Sequence, residues 1–342
     1  MNATIIGGGS WGSAFAIHLG RLQLSTKLWI KEDEIYRDIK KTGENRMFLP
    51  GIAFPSSVSF FLDLRQAVED ADLVFIAVPS RFCRNIYKKI APYLTSKQLI
   101  VSMTKGIEKD SLKRMSEVME EVFSSFFEPS VAVLSGPSFA QEVAESHPTV
   151  VVVASKDIQL AKEIQKFVSG LYFRAYSSTD IIGVELAGAC KNVIAIATGI
   201  SDSFGFGSNS MAGLVTRGLA EMTRLGIKLG ARLETYAGLA GIGDLVLTCT
   251  GKLSRNRFVG SELGKGKELE TIVSGMKMIA EGISTTISVH LLSQREEVEM
   301  PICDQVYRII YERKNPREAF QELMSRELKN EFKTLKGEDD EI

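Results

Sequence analysis

Cysteine and histidine are scarce in this 342-residue chain, and their scarcity narrows its chemistry. Its four cysteines, Cys83, Cys190, Cys249 and Cys303, lie far apart without a C-x-x-C pair, which argues against a disulfide scaffold or a structural zinc site. They read as small buried hydrophobes, and no metal is expected. The three histidines, His18, His147 and His290, sit in unrelated contexts, so proton transfer is expected to fall to another residue type. An excess of charge of one sign is also missing. A formal net charge of -1 with mixed signs lacks the electrostatic footprint of a dedicated nucleic-acid binder. No uninterrupted apolar run reaches the length of a bilayer span; the longest, Val193 to Ile200, is a few helical turns. Met1 leads directly into a strand pattern, leaving no room for a secretory leader, so a cytoplasmic protein is expected.

Glycine, by contrast, is placed with purpose at the N-terminus. The strand-like Asn2-Ala3-Thr4-Ile5-Ile6 runs into Gly7-Gly8-Gly9-Ser10-Trp11-Gly12, followed by apolar residues at helical spacing from Ser13 to Leu19. Strand, turn and helix in that order form a dinucleotide-binding fingerprint. Gly7 permits the tight turn, Gly9 lets the backbone approach a pyrophosphate, and Gly12 allows the helix to pack closely on the strand.

The first half then alternates strands and helices. Residues 25–30, 72–79, 98–103, 131–135 and 149–154 are near-continuous β-branched or apolar runs, the pattern of a parallel sheet covered on both faces. From about Thr179 the texture becomes helical, with apolar spacing over 180–200, 208–229 and 280–296 and a restart at Pro301 through Tyr311. We therefore expect an α/β protein with a Rossmann-type, doubly wound and mainly parallel sheet, followed by a mainly α-helical second domain. The expected divisions are a dinucleotide-binding domain over 1–180, a helical substrate domain over 181–332 and a flexible acidic tail over 333–342. The helical domain offers apolar surface for a homodimer.

Several polar residues stand out against this framework. Lys191 lies on a helix whose own-face neighbours, Ala187, Gly188, Ile194 and Ala195, cannot pair with an ammonium. It either snorkels at the helix edge or sits partly desolvated, where its pKa would fall toward the range useful for proton transfer. Asp244, between glycines and a helix-like run, is either a turn residue or an orienting carboxylate. Ser254, Arg255 and Asn256 cluster donors suited to a phosphate, or form a solvated loop. Gly136-Pro137-Ser138-Phe139-Ala140 reads as a helix start with proline near its first position. Lys105 follows a strand end, where a cation can reach a ligand in the crevice. At the end of the second strand, Ile30-Lys31 stands where an NAD-specific enzyme usually has an acidic residue, with Glu32 next. NADPH is therefore expected to be accepted alongside NADH, with Lys31 near its 2′-phosphate.

Together these segments resemble the bacterial-type NAD(P)-dependent glycerol-3-phosphate dehydrogenases. The matching set adds Asn45-Arg46-Met47-Phe48-Leu49-Pro50-Gly51, Thr104-Lys105-Gly106-Ile107-Glu108, Gly241-Ile242-Gly243-Asp244 and Glu281-Gly282, all in family order. The resemblance implies reversible hydride transfer at C2 of dihydroxyacetone phosphate or sn-glycerol 3-phosphate, supplying precursor for phospholipid synthesis. It implies Lys191 as the proton-transfer residue, and assigns Lys105, Gly136, Ser138, Asp244, Ser254, Arg255 and Asn256 to the substrate. Lys105 and Arg255 also fall near the cofactor, which the resemblance further assigns to Ser10, Trp11, Ala140, Ile279 and Glu281. Phe48 stands where the family often has tyrosine and Ser138 where threonine is frequent. Two rival readings keep part of this pattern. A related two-domain β-hydroxyacid dehydrogenase would share the fingerprint and Lys191-Asn192 without a phosphate clamp, and a dinucleotide-sensing regulator would bind cofactor without turnover.

Overall fold

In the computed structural model, which describes residues 1–276, 278 and 280–331, the glycine fingerprint follows a fully buried strand. This first unit begins β1 (Ala3–Ile6), α1 (Ser10–Arg21), β2 (Thr26–Trp29), α2 (Asp33–Thr42), β3 (Glu44–Asn45), β4 (Leu49–Ala53), β5 (Val58–Phe61) and α3 (Leu64–Val68). It continues β6 (Leu73–Ile76), α4 (Ser80–Ile90), β7 (Leu99–Ser102), α5 (Met115–Phe123), β8 (Ser130–Ser135), α6 (Ala140–Ala144), β9 (Thr149–Ala154), α7 (Ile158–Val168) and β10 (Phe173–Ser178).

The eight-stranded sheet runs β10-β9-β8-β7-β6-β1-β2-β5. From β5 to β8 every pairing is parallel, and the order reverses between β1 and β6, the switch point where such sheets bind ligands. One interface departs from the expected parallel arrangement: β9 pairs antiparallel to β8, and β10 follows β9 in parallel. Hydrophobic runs mark a buried strand but carry no sign for its direction, so the reversal left no trace in the pattern. Four further strands leave no such run in the sequence. β5 and β10 are sheet edges with exposed positions, and the β3–β4 hairpin is short and irregular. Pro137 is a second correction, because α6 starts only at Ala140 and the proline lies in the turn before it.

The helical unit comprises α8 (Ile181–Ser203), α9 (Ser208–Lys228), α10 (Leu233–Ala237), α11 (Asp244–Thr250), α12 (Arg255–Gly264), α13 (Leu269–Ser274), α14 (Glu281–Arg295), α15 (Pro301–Tyr311) and α16 (Pro316–Met324). Asp180 caps α8 by accepting from the Gly183 N–H at 2.9 Å, and its second oxygen accepts from Arg232 N and Thr235 Oγ1. The apolar stretch noted over 193–200 is one part of this longer helix. By length and composition, α8 is the one helix among the described residues that could cross a membrane, but 94% of its apolar window is buried in the protein. Its covering comes from α9, α11, α12, α14 and α15. Ile279 and the tail expected over 333–342 lie outside the described residues.

Contact between α8 and α12 is backbone to backbone. A Cβ on Gly199 would fall 2.0 Å from the Arg257 carbonyl oxygen, and one on Gly260 would fall 2.0 Å from that of Ile196. Such contact admits no side chain, so Gly260→Ala should push α12 off α8 and lower stability by about 1–3 kcal/mol, the usual cost of overpacking. Gly213→Ala, on an open face of α9 with no atom within 4 Å of the new Cβ, should instead be stabilising by up to about 1 kcal/mol. Chemical denaturation of the two variants checks the contrast; similar shifts would mean that the helices separate freely.

Candidate active site

The β1–α1 turn is shaped for a pyrophosphate. Gly7 takes φ +124°, closed to most side chains, and a Cβ there would meet the Ala77 carbonyl oxygen at 2.7 Å across the switch point. Gly12 rests on the Gly7 carbonyl oxygen, 1.9 Å from where its own Cβ would be. Gly9 leaves open space, and as N-cap of α1 it provides no side-chain cap, so the first N–H groups of the helix remain available. Asn45, from the hairpin, locks the turn by donating to the Gly8 carbonyl oxygen at 2.8 Å and to Ser13 Oγ at 2.9 Å. These features fit a dinucleotide. A cleft of about 730 Å³ runs from Lys31 and Glu32 past Gly7, Gly9, Ser10 and Trp11 to Lys191, within the size range of ligand pockets.

At its inner end two lysines share one carboxylate. Asp244, 1% exposed at the start of α11, accepts from Lys191 Nζ at Oδ1 and from Lys105 Nζ at Oδ2, each at 2.6 Å. Lys191 also donates to Thr248 Oγ1 at 2.7 Å, and Thr248 in turn donates to the Asp244 carbonyl oxygen at 2.6 Å. Lys105 donates further to the Gly136 carbonyl oxygen at 2.9 Å. Lys191 is buried and not snorkelling; its partner comes from another helix, which own-face neighbours could not reveal. Burial lowers its pKa to about 8, with the Lys105 charge adding to the effect and Asp244 opposing it.

Ser254, Arg255, Asn256 and Ser138 line the same cleft. Ser254 caps α12 by accepting from the Arg257 N–H at 3.2 Å. Asn256 donates to Asn192 Oδ1 at 2.9 Å and accepts from the Gly282 N–H at 2.9 Å, tying α8, α12 and α14 together. Desolvation by the cleft walls lowers the pKa of Arg255, with the Glu281 charge working against the shift. Burial raises that of Glu281, which accepts from Ser80 Oγ at 3.0 Å. Ala140 and Glu281 complete the wall near the fingerprint.

Most of the expected residues therefore meet in one cleft, with instructive exceptions. Asp244 and Gly136 stand behind the lysines and reach the cleft only through them, while Gly12 lies under the turn. Thr248 and Asn192 had no local signal beyond their place in longer motifs, because their partners are distant in sequence. Phe82, Asn85 and Lys89, facing Lys31 across the outer cleft, recur along one face of α4 at spacings of three and four; that amphipathic spacing was the available clue.

Comparison with known proteins agrees with this geometry. The profile described as NAD-dependent glycerol-3-phosphate dehydrogenase N-terminus matches residues 2–161, and that of the C-terminus of the same family matches 180–321. A protein of Syntrophobacter fumaroxidans named glycerol-3-phosphate dehydrogenase [NAD(P)+] is 48% identical over 328 residues, covering 96% of both chains. One of the same name from Syntrophotalea carbinolica is 47% identical, covering 97% of this chain and 100% of that one. The crystal structure of glycerol-3-phosphate dehydrogenase from Coxiella burnetii superposes with a TM-score of 0.92 at 40% identity, covering 95% of this chain and 99% of that one. With both halves matched in order and the paired lysines set beside the glycine turn, this chain belongs to the NAD-dependent glycerol-3-phosphate dehydrogenase family.

Proposed function

We propose that this protein catalyses reversible hydride transfer between NAD(P)(H) and C2 of dihydroxyacetone phosphate or sn-glycerol 3-phosphate, supplying glycerol 3-phosphate for phospholipid synthesis. Residues 1–180 serve as the dinucleotide unit and 181–332 as the substrate unit. The observation that carries this reading is the pair of lysines on Asp244, one from each unit, in the cleft that opens from the fingerprint turn. Family membership supports it.

When bound, the nicotinamide supplies or accepts the hydride. Gly7, Gly9, Ser10, Trp11 and Gly12 hold or shape its pyrophosphate site, Lys31 takes the ribose end, and Lys105, Ala140, Arg255, Ile279 and Glu281 bear on the remainder. The Lys191 nitrogen has two of its directions fixed by Asp244 and Thr248, both acceptors, and a remaining one faces the cleft. As an ammonium it directs an N–H toward the substrate O2 and donates the proton as charge develops there. As a neutral amine its other two N–H bonds stay on Asp244 and Thr248, so the lone pair points at the substrate hydroxyl and takes its proton. Lys105, held from behind by the Gly136 carbonyl oxygen, adds a second cation, while Ser254, Arg255 and Asn256 at the start of α12 bind the phosphate, with Ser138 lining the same cleft. These phosphate donors weigh against a β-hydroxyacid substrate, and a proton-transfer group aimed into the cleft weighs against a sensor without turnover.

Lys191→Ala should lower turnover by about two to four orders of magnitude while leaving cofactor binding nearly intact. In the unsubstituted enzyme the pH dependence follows from a lysine lowered to about 8. Reduction needs the ammonium and falls as pH rises through that value, whereas oxidation needs the amine and rises through it. Steady-state rates in both directions from pH 6 to 10 test this; near-normal turnover in Lys191→Ala would remove the lysine from the chemistry.

Arg255→Lys should weaken kcat/KM for dihydroxyacetone phosphate by about 1.5–3 kcal/mol, since a point charge cannot reproduce the paired hydrogen bonds of a guanidinium. Unphosphorylated dihydroxyacetone should lose much less. Equal losses would assign Arg255 to the cofactor or the fold. For the cofactor, Lys31→Asp should shift the kcat/KM ratio from NADPH toward NADH; an unchanged ratio would detach Lys31 from the 2′-phosphate.

A further inference from the structure

At the opposite end of the β7–α5 loop from Lys105, a buried carboxylate makes contacts that the proton-transfer chemistry does not use. Glu185, 7% exposed on α8, accepts from the Ser116 N–H at 2.8 Å through Oε1. Its Oε2 accepts from Ser116 Oγ at 2.5 Å and Arg114 Nη1 at 2.8 Å. Arg114 immediately precedes α5, so α8 supplies a cap to a helix of the other unit. The same face of α8 meets the beginning of the loop. Asn192 donates to the Lys105 carbonyl oxygen at 3.4 Å, and a Cβ on Gly188 would lie 3.5 Å from Lys105 Cγ.

Between these two grips the loop is tied to itself and its surroundings. Ile107 and Arg114 form a β-bridge, and the Glu108 N–H donates to the Lys113 carbonyl oxygen at 2.9 Å. Arg84 grips the Glu108 carboxylate with two hydrogen bonds of 2.8 Å, and Ser288 donates to the Ile107 carbonyl oxygen at 3.2 Å. The Arg114 end and the Lys105 end are thus joined through one bonded loop, and α8 carries both the grip and Lys191.

We propose that Glu185 is a positioning residue for the reaction: by holding Arg114 and Ser116 it fixes the β7–α5 loop on α8, and with it the separation of Lys105 from Lys191 across Asp244. The inference rests on Lys191 being the proton-transfer group. Lys191 faces Asp244, Thr248 and the Cys249 thiol from α11 and Lys105 from the loop; Glu185 faces Arg114, Ser116 and the Tyr87 phenol of α4. Repulsion between the two ammonium groups weakens as they separate, and Asp244 released from Lys105 would serve Lys191 alone. Both changes favour the protonated lysine.

Glu185→Gln keeps an acceptor for the Ser116 N–H but removes the charge opposite Arg114. We expect kcat to fall on the order of tenfold through misplaced groups, with little change in KM for the cofactor. The rising limb of sn-glycerol 3-phosphate oxidation should move to higher pH by about half a unit, a threefold change in the ionisation constant. The pH dependence of Lys191 acylation by acetic anhydride, followed by mass spectrometry, reads the same shift without turnover. Ser116→Ala, which removes the hydroxyl's hydrogen bonds to Glu185 and from Arg114, should move both readouts in the same direction and carries the test if Glu185→Gln does not fold. A lowered melting temperature with an unmoved limb and unmoved acylation profile would reduce Glu185 to a structural latch. An unsubstituted enzyme that does not turn over dihydroxyacetone phosphate would overturn the functional reading, while acylation would still judge the positioning role.

Discussion

One buried carboxylate between two ammonium groups organises the inner end of the cleft. Removing any of the three from water is costly, and attraction offsets that cost only when the geometry is good and the remaining hydrogen-bonding capacity is used. Here each carboxylate oxygen takes one lysine at 2.6 Å, and Gly136 and Thr248 take further N–H bonds. The cluster carries one formal positive charge, an asset where a phosphorylated substrate must enter and an alkoxide must form. Without Asp244, two like charges would face each other in a poorly hydrated site.

The same interaction joins the two units. Lys105 comes from the loop after β7, whereas Asp244 and Lys191 come from the helices, so the second cation joins the pair only when the units are docked. Docking is reinforced on both sides of the cleft, by Glu185 on the start of α5 and by Glu281 on Ser80 at the start of α4. Both are acidic groups at helix N-termini, where the macrodipole favours them. The positive ends of these two helices are thus spent on holding the units together.

Legibility in the sequence followed the range of the interactions. The fingerprint turn was readable because Gly7, Gly9 and Gly12 lie within a few residues of one another, with Gly12 packed on Gly7 and Gly9 left open. The parallel strands were readable because burial on both faces leaves continuous apolar runs, but β9 and β10 showed that burial is silent about direction. Lys191 could be flagged as anomalous on an apolar face, yet its two readings were separable only by Asp244, fifty-three positions away. Asn45 and Glu185 are harder still, since a polar residue that serves a distant backbone looks locally like any other. Resemblance to a family joined motifs that spacing alone could not connect.

The burial of α8 has a consequence for synthesis. Every helix that covers it, from α9 to α15, follows it in the chain, so a ribosome must add the residues through Tyr311 before the full covering exists. Until then the part of this apolar, membrane-like helix that does not rest on β8 and β9 lacks its cover. Such a segment is an aggregation hazard during translation, and a natural client for holding chaperones. The helix that unites the finished enzyme is thus one whose burial waits on the chain that follows it.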